Sequence, residues 1–279
     1  MDETAEVTTE KTVTATSHEF RDVASDRTVE ETLKKDVEAQ ALLSVATPGA
    51  TLSAPAATQV YDRLEARLTA AHANPSFRSL AHALHARLPL SVDFVVFDTE
   101  TSGISSHDVV VQMAWAAYDA DGLRLEYSTT YWSLPSGVQV SHGAYAVHKI
   151  GAQFLSKRGS VPATHLHTFC ALVYVMRARG KKVVAHNAAF DVRLLNQTAQ
   201  KWGLEQRLSM EDTFCTMRSA TPHCGLRNRT GHKKAPRNSE LFQLLTGKSC
   251  DETQLHDAAV DISVTATSYR LGRARRWWT

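Results

Sequence analysis

Three short segments carry residues whose types and spacing suit metal-assisted hydrolysis. In FDTETSG (97–103) an apolar run ends on Asp98 and Glu100, one residue apart, and the period of two in an extended chain turns both carboxylates to one side. HNAAFD (186–191) puts Asp191 in the first turns of an expected helix that follows a short apolar run, and HDAAVD (256–261) sets His256 and Asp261 five residues apart near another expected helix start. Each alone has an ordinary explanation: a solvated strand terminus, a first-turn acid favoured by the helix dipole, a capping or surface histidine. Together they offer four hard oxygen donors and one side chain of the type that titrates near neutral pH.

The intervening sequence supplies elements to position them. SVDFVVFD (91–98) and VVVQMAWAAYD (109–119) are apolar runs suited to buried strands, and LRLEYSTTYW (123–132) alternates as a half-exposed strand, joined to the second by the turn Asp121-Gly122. After Pro162 a helical pattern passes through Phe169, Leu172, Val173 and Met176 to Gly180; the strand KVVAH (182–186), a helix from about Ala188 to Gly203 and a last helix from about Ala258 to Arg275 follow. Antiparallel strands followed by alternating helices and strands predict an α/β domain with a mixed sheet. Upstream, Val60, Leu64 and Leu68, then Leu80, Leu84 and Leu88, recur at helical spacing around Asn74 and Pro75, which predicts two short helices.

Residues 1–50 hold 5 of the chain's 31 Lys/Arg but 11 of its 29 Asp/Glu, leaving 26 basic against 18 acidic residues in 51–279. A basic body suits a polyanionic partner. The first 50 residues are nearly free of aromatics and of apolar period, and are expected to be a disordered acidic tail. Cys170, Cys215, Cys224 and Cys250 form no CxxC pair, the start MDETAEVTTE lacks the order of a secretory signal, and no apolar run approaches the roughly 18 residues that span a bilayer. A soluble intracellular protein without a membrane partner is expected.

The three segments, in this order, resemble the motifs of the DEDD exonucleases, in the DnaQ-like subgroup with a histidine in the last motif, which includes the proofreading subunit of bacterial replicative polymerase and ribonuclease T. The resemblance covers about 91–272. It takes in HKIGAQFL (148–155) and, in NSELFQLLTG, Glu240, Leu241, Leu244 and Gly247. It implies a ribonuclease H-like α/β fold, a five-stranded mixed sheet flanked by helices, with the acids gathered at one edge. The chain then divides into the tail (1–50), a helical extension (51–90), an exonuclease domain (91–275) and a C-terminal tail (276–279). Independently, carboxylates about 4 Å apart repel by roughly 4 kcal/mol per pair at an effective dielectric near 20, so such a cluster needs cations or raised pKa values.

The resemblance further implies two Mg²⁺ or Mn²⁺ ions, one held by Asp98, Glu100 and Asp261 beside the attacking water, the other at the leaving 3′ oxygen with Asp191 reaching it through water. Asp98 bridges both, and His256 is the base. The reaction implied is 3′-to-5′ hydrolysis of single-stranded DNA, RNA or both, releasing nucleoside 5′-monophosphates. Matching letters carry over the substrate contacts: Thr101, Ser102 and Gly103 near the terminal nucleotide, His186, Asn187 and Phe190 lining the cleft, and His148 at the terminal sugar or base. Asn187 as a helix cap and His148 as a loop brace are equally compatible with the sequence.

Two features lie outside the resemblance. Arg218, Arg227, Arg229, Lys233, Lys234 and Arg237 stand in 218–238 without an acid, as a solvated loop or as a phosphate-tracking arm. RARRWWT (273–279) sets basic residues beside Trp277 and Trp278, which either fold back, stack on bases or dock on a protein partner; the acidic N-terminal tail is a second candidate docking segment. The contrasting reading of the whole chain is a catalytically inactive nucleic-acid-binding or assembly module on the same scaffold, and it predicts loss of at least one acidic ligand. All five catalytic positions are filled.

Overall fold

The computed structural model describes residues 54–205, 208–250 and 255–278. The acidic segment 1–50, read above as a tail, lies outside the described residues. In chain order the elements are α1 (Ala54–Ala70), α2 (Pro75–Arg87), β1 (Phe94–Thr101), β2 (Val110–Tyr118), β3 (Arg124–Tyr131), α3 (His142–His148), α4 (Ala152–Arg158), α5 (Ala163–Ala178), β4 (Lys182–Ala185), α6 (Ala188–Lys201), β5 (Phe214–Cys215), α7 (Thr216–Ala220), α8 (Asn238–Thr246) and α9 (Ala258–Ala274).

The five strands form one mixed sheet in the order β3-β2-β1-β4-β5. β1 pairs antiparallel with β2 and parallel with β4, so it is the central strand, and β5 adds a short parallel edge. Alternation along β1 sorts its side chains between two cores. Val95 and Phe97 enter one with α5 and α6; Phe94 and Val96 enter the other with Leu241, Ile262, Ala266 and Tyr269 of α8 and α9. That parity decides which helix each motif residue meets.

α5 is apolar nearly all round, with Leu166, Phe169, Leu172, Val173 and Met176 buried, as a helix between two layers must be. The sheet covers one side. α1 and α2 cover the other, sending Leu64, Leu68, Phe77, Ala81 and Leu84 into the same cluster. Asn74 caps α2 by accepting from the Phe77 amide at 2.9 Å. At its far end, Arg179 donates to the carbonyls of His85, Leu88 and Pro89 at 2.7, 2.8 and 2.9 Å, satisfying terminal acceptors and joining α2 to the end of α5. Both helices therefore belong to the main core.

The chain's end folds back. Trp278 lies in the α8–α9 core, its Nε1 donating to the Tyr269 carbonyl at 3.1 Å, and its ring covers Gly272 so closely that a Cβ there would lie 1.9 Å from it. Trp277 stacks on His223, ring centres 5.1 Å apart. Of the readings the sequence left for this end, Trp278 takes the fold-back one, while Trp277 stays half-exposed. Trp278→Ala is expected to cost about 3–5 kcal/mol, the usual range for emptying a core aromatic site, read as a lower urea midpoint at unchanged slope. Among the described residues no helix is long and apolar enough to cross a membrane.

Candidate active site

The site forms where β1 runs out. Asp98 and Glu100 continue the Phe94–Val96 row and face α9; Thr99 continues the opposite row and faces α6. The register then slips between Glu100 and Thr101, a bulge that ends regular pairing with β2 just beyond the carboxylates. Thr99 Oγ1 donates to Asp191 Oδ1 at 2.8 Å, fixing the carboxylate in the first turn of α6 against the strand.

The third segment is a clasp. Asp257 caps α9 by accepting from the Ala259 amide at 2.9 Å, and Asp261, one turn on, accepts from the His256 backbone amide at 2.8 Å. This closes the loop over the helix start and holds His256 at φ 72°, a left-handed conformation costly for a residue with a Cβ and common at functional sites. The consequence is an exposed imidazole at the carboxylate edge: ligand atoms of Glu100, His256 and Asp261 all lie within 4.8 Å of one another. Asp98 and Asp191 stand outside that trio but share its field.

Electrostatics bind the group together. Burial, reinforced by the charges of Asp261, Asp191, Glu100 and Asp257, pushes Asp98 well above the ordinary carboxylate range. Burial and the same neighbours raise Glu100 to about 9. Burial raises Asp191 to about 7 against the opposing hydrogen bond from Thr99, and burial raises Asp261 as well, although the His256 amide and Asn238 oppose it. A like-charged set this poorly solvated stays protonated near neutrality or takes up cations, and a donor set of carboxylate oxygens suits hard divalent ions. Asp98, Glu100, Asp191 and Asp261 fit such ions; His256, exposed beside Glu100 and Asp261, offers a ring nitrogen that can serve as ligand or as proton acceptor.

Sequence reasoning missed the supports. Gln112, buried in β2 directly opposite Glu100, donates through Nε2 to Asp257 Oδ1 at 2.8 Å and accepts from the Ala258 amide at 3.2 Å, so both ends of one amide grip the start of α9. Asn238, first residue of α8, donates to Asp261 Oδ1 at 3.1 Å and accepts from Thr265 at 3.2 Å. A signal for Gln112 existed: a lone amide in VVVQMAWAAY must find a buried partner. Gln112→Ala is expected to reduce kcat about 10- to 100-fold with KM little changed, the scale of losing a group that orients a ligand-bearing segment. Steady-state kinetics check it.

The predicted substrate contacts divide. His186 Nε2 faces the Pro236 carbonyl and Nδ1 the Thr216 hydroxyl, each at 3.0 Å, and burial lowers its pKa to about 4. A neutral ring donating through Nε2 and accepting at Nδ1 satisfies both, so His186 braces the strand-to-helix turn. His148 is likewise engaged, Nε2 with the Thr101 carbonyl and Nδ1 with the Ile150 amide, both at 3.0 Å; burial lowers its pKa. Of its two sequence readings the loop brace is the one seen. Thr101 Oγ1 donates to the Gly103 carbonyl and Ser102 Oγ to Asp108, and a Cβ on Gly103 would strike Asp108 at 2.6 Å. These side chains shape the loop, and its backbone is engaged as well, the Ser102 amide donating to the Val109 carbonyl at 2.8 Å and the Ser102 carbonyl accepting from the Ser141 amide at 2.7 Å. Asn187 stands at the N-cap of α6 at φ 63° without a capping bond, which corrects the capping alternative, and Phe190 is half-buried beneath the Arg193 guanidinium.

A five-stranded mixed sheet whose central strand ends in a carboxylate cluster completed by two helices defines a ribonuclease H-like nuclease fold. The RNase_T family model, described as Exonuclease, matches residues 95–269, and the chain belongs to this exonuclease family. Among solved structures it is similar to E. coli exonuclease I in complex with a dA16 oligonucleotide, with a TM-score of 0.52 at 18% identity over 66% of this chain and 41% of that one. An exonuclease I structure that suggests how processivity is achieved gives 0.53 and 18% over 66% and 41%, and an SSB/exonuclease I structure with the inhibitor CFAM gives 0.54 and 17% over 67% and 42%. The chain thus aligns with about two-fifths of the length of those proteins. No curated protein compared with the sequence matches it.

Proposed function

We propose that this chain is a divalent-cation-dependent exonuclease that hydrolyses single-stranded nucleic acid from the 3′ end and releases nucleoside 5′-monophosphates. The observation that carries the reading is the mutual destabilisation of four carboxylates from three distant segments: Glu100 at about 9 and Asp191 at about 7 mark a site whose charges are unbalanced without cations. Two Mg²⁺ or Mn²⁺ ions held by Asp98, Glu100, Asp191 and Asp261 would neutralise the cluster and offset charge gathering on the scissile phosphate. His256, at the solvent edge of Glu100 and Asp261, takes the proton of the attacking water. The loop Thr101–Gly103, with Asn187 and Phe190, receives the terminal nucleotide. His148 and His186 hold that frame from behind.

A DNA substrate is favoured by the oligonucleotide seen with similar E. coli exonuclease I, and RNA offers the same phosphodiester. Incubating the full chain with single-stranded DNA and RNA labelled at either end distinguishes the cases. With Mg²⁺ or Mn²⁺ a 3′ label is expected to appear at once as mononucleotide and a 5′ label as a shrinking ladder, both stopped by EDTA. Shortening from the 5′ end alone rejects the polarity, and EDTA-resistant hydrolysis rejects the cation requirement.

A further inference from the structure

The segment between α7 and α8 is built, not loose. Asn228 Oδ1 accepts from the amides of Thr230 and His232, each at 3.0 Å, and from the Thr230 hydroxyl at 2.8 Å; the His232 carbonyl accepts from the Asn228 amide at 2.9 Å. The Lys234 amide donates to Leu226, and an antiparallel bridge pairs Arg227 with Lys233. Gly231, at φ 80°, turns the chain where a Cβ would be strained. The result is a hairpin over 226–234 whose side chains at Arg227, Arg229 and Lys233 are exposed.

Both legs stand on the active site. One follows α7, whose Thr216 meets His186; the other runs through Pro236, held by the same histidine, into Asn238, which grips Asp261. Its charge is one-sided. Lys234 and Arg237 are paired with Glu240, whereas among the described residues no carboxylate pairs with Arg218, Arg229 or Lys233. At its base His223 stacks on the half-buried Trp277. A rigid cationic projection beside a cluster of acids repels nothing anionic that approaches from its own side, and for a polyphosphate it supplies the charge the carboxylates lack.

We propose that the 226–234 hairpin, with Arg218, tracks the backbone of the single strand on the 5′ side of the scissile phosphodiester, gripping phosphates beyond the terminal nucleotide. The inference rests on the exonuclease reading above. Phosphate contact is sequence-independent and common to DNA and RNA, so the hairpin sets affinity for long strands and leaves the chemical step alone.

The test compares the full chain with the Arg229→Ala/Lys233→Ala double variant and an Arg229→Lys/Lys233→Arg control, binding fluorescent DNA and RNA strands in EDTA over a range of salt. Strands of roughly 4 and roughly 20 nucleotides fall below and above the reach of a single groove. On the long strand the alanine variant is expected to bind about tenfold more weakly, with the slope of log K against log salt reduced by about 1.4, two contacts at about 0.7 each. The short strand and the charge-conserving control should behave as wild type. A loss on one type of strand only supports tracking of that strand. Unchanged long-strand affinity and slope, an equal loss on short and long strands, or no binding by wild type overturns the proposal. The binding difference without any hydrolysis in Mg²⁺ would instead reject the exonuclease reading and leave the hairpin standing.

Discussion

Asp98→Asn is expected to reduce hydrolysis by about 10³-fold or more while raising the thermal midpoint of the cation-free protein. The two effects share a cause. Asp98 is buried where the fields of Asp261, Asp191, Glu100 and Asp257 converge, so its carboxylate resists ionisation and a cation held there would relieve that cost. Losing a ligand that serves the reacting phosphate removes several kcal/mol of transition-state stabilisation, which is about three decades in rate. The amide is isosteric and never ionises, so the cost of keeping this buried carboxyl protonated in the cation-free folded state disappears. Multiple-turnover rates and thermal melts in EDTA read the two halves separately. An inactive variant with a lowered midpoint would assign Asp98 to the scaffold.

The same raised values fix the sign of the pH dependence. Glu100 rises from 4.5 to about 9 and Asp191 from 3.8 to about 7, so the folded protein holds these protons more tightly than the unfolded chain. Their stabilising contribution is whole below the unfolded values and is lost progressively as pH climbs above them, the loss being complete at about 7 for Asp191 and about 9 for Glu100. In EDTA the midpoint should therefore fall across that window. Saturating Mg²⁺ should flatten the fall, because bound cations replace the protons.

His256→Asn is expected to lower the single-turnover rate by about 10²- to 10⁴-fold, the range for removing a positioned proton acceptor, with Mn²⁺ affinity close to wild type. Asparagine is chosen because it tolerates the left-handed backbone that His256 adopts at φ 72°, and because the residue's amide, not its ring, holds Asp261. Loss of the ring is thereby separated from distortion of the clasp. A variant that turns over normally removes His256 from the chemistry; one that loses Mn²⁺ binding in parallel makes it a ligand.

What the sequence made legible follows from period and spacing. β1 to β4, α5, α6 and α9 carry enough residues for an alternating or helical pattern, and the acids of FDTETSG, HNAAFD and HDAAVD sit at element ends where parity places them. β5, two residues long, has no period to detect, and α3 and α4 are too short to show one above background. The cross-chain supports were hidden for another reason. Gln112 to Asp257, Asn238 to Asp261 and His186 to Pro236 join residues far apart in sequence, so only the packed sheet brings them together. The letters of His186 and His148 suggested contact with substrate because a histidine looks alike in sequence whether its nitrogens face a ligand or a carbonyl.

The central claim is that cations replace protons on the carboxylates at the end of β1. Titrating Mn²⁺ into the full chain near pH 7 by calorimetry, in buffers of different ionisation enthalpy, measures ions bound and protons released together. With Glu100 raised to about 9 and Asp98 above the ordinary range, saturable binding is expected to release about one proton or more per chain and to be lost in Asp98→Asn. Binding without proton release, or binding that survives Asp98→Asn unchanged, would contradict the account.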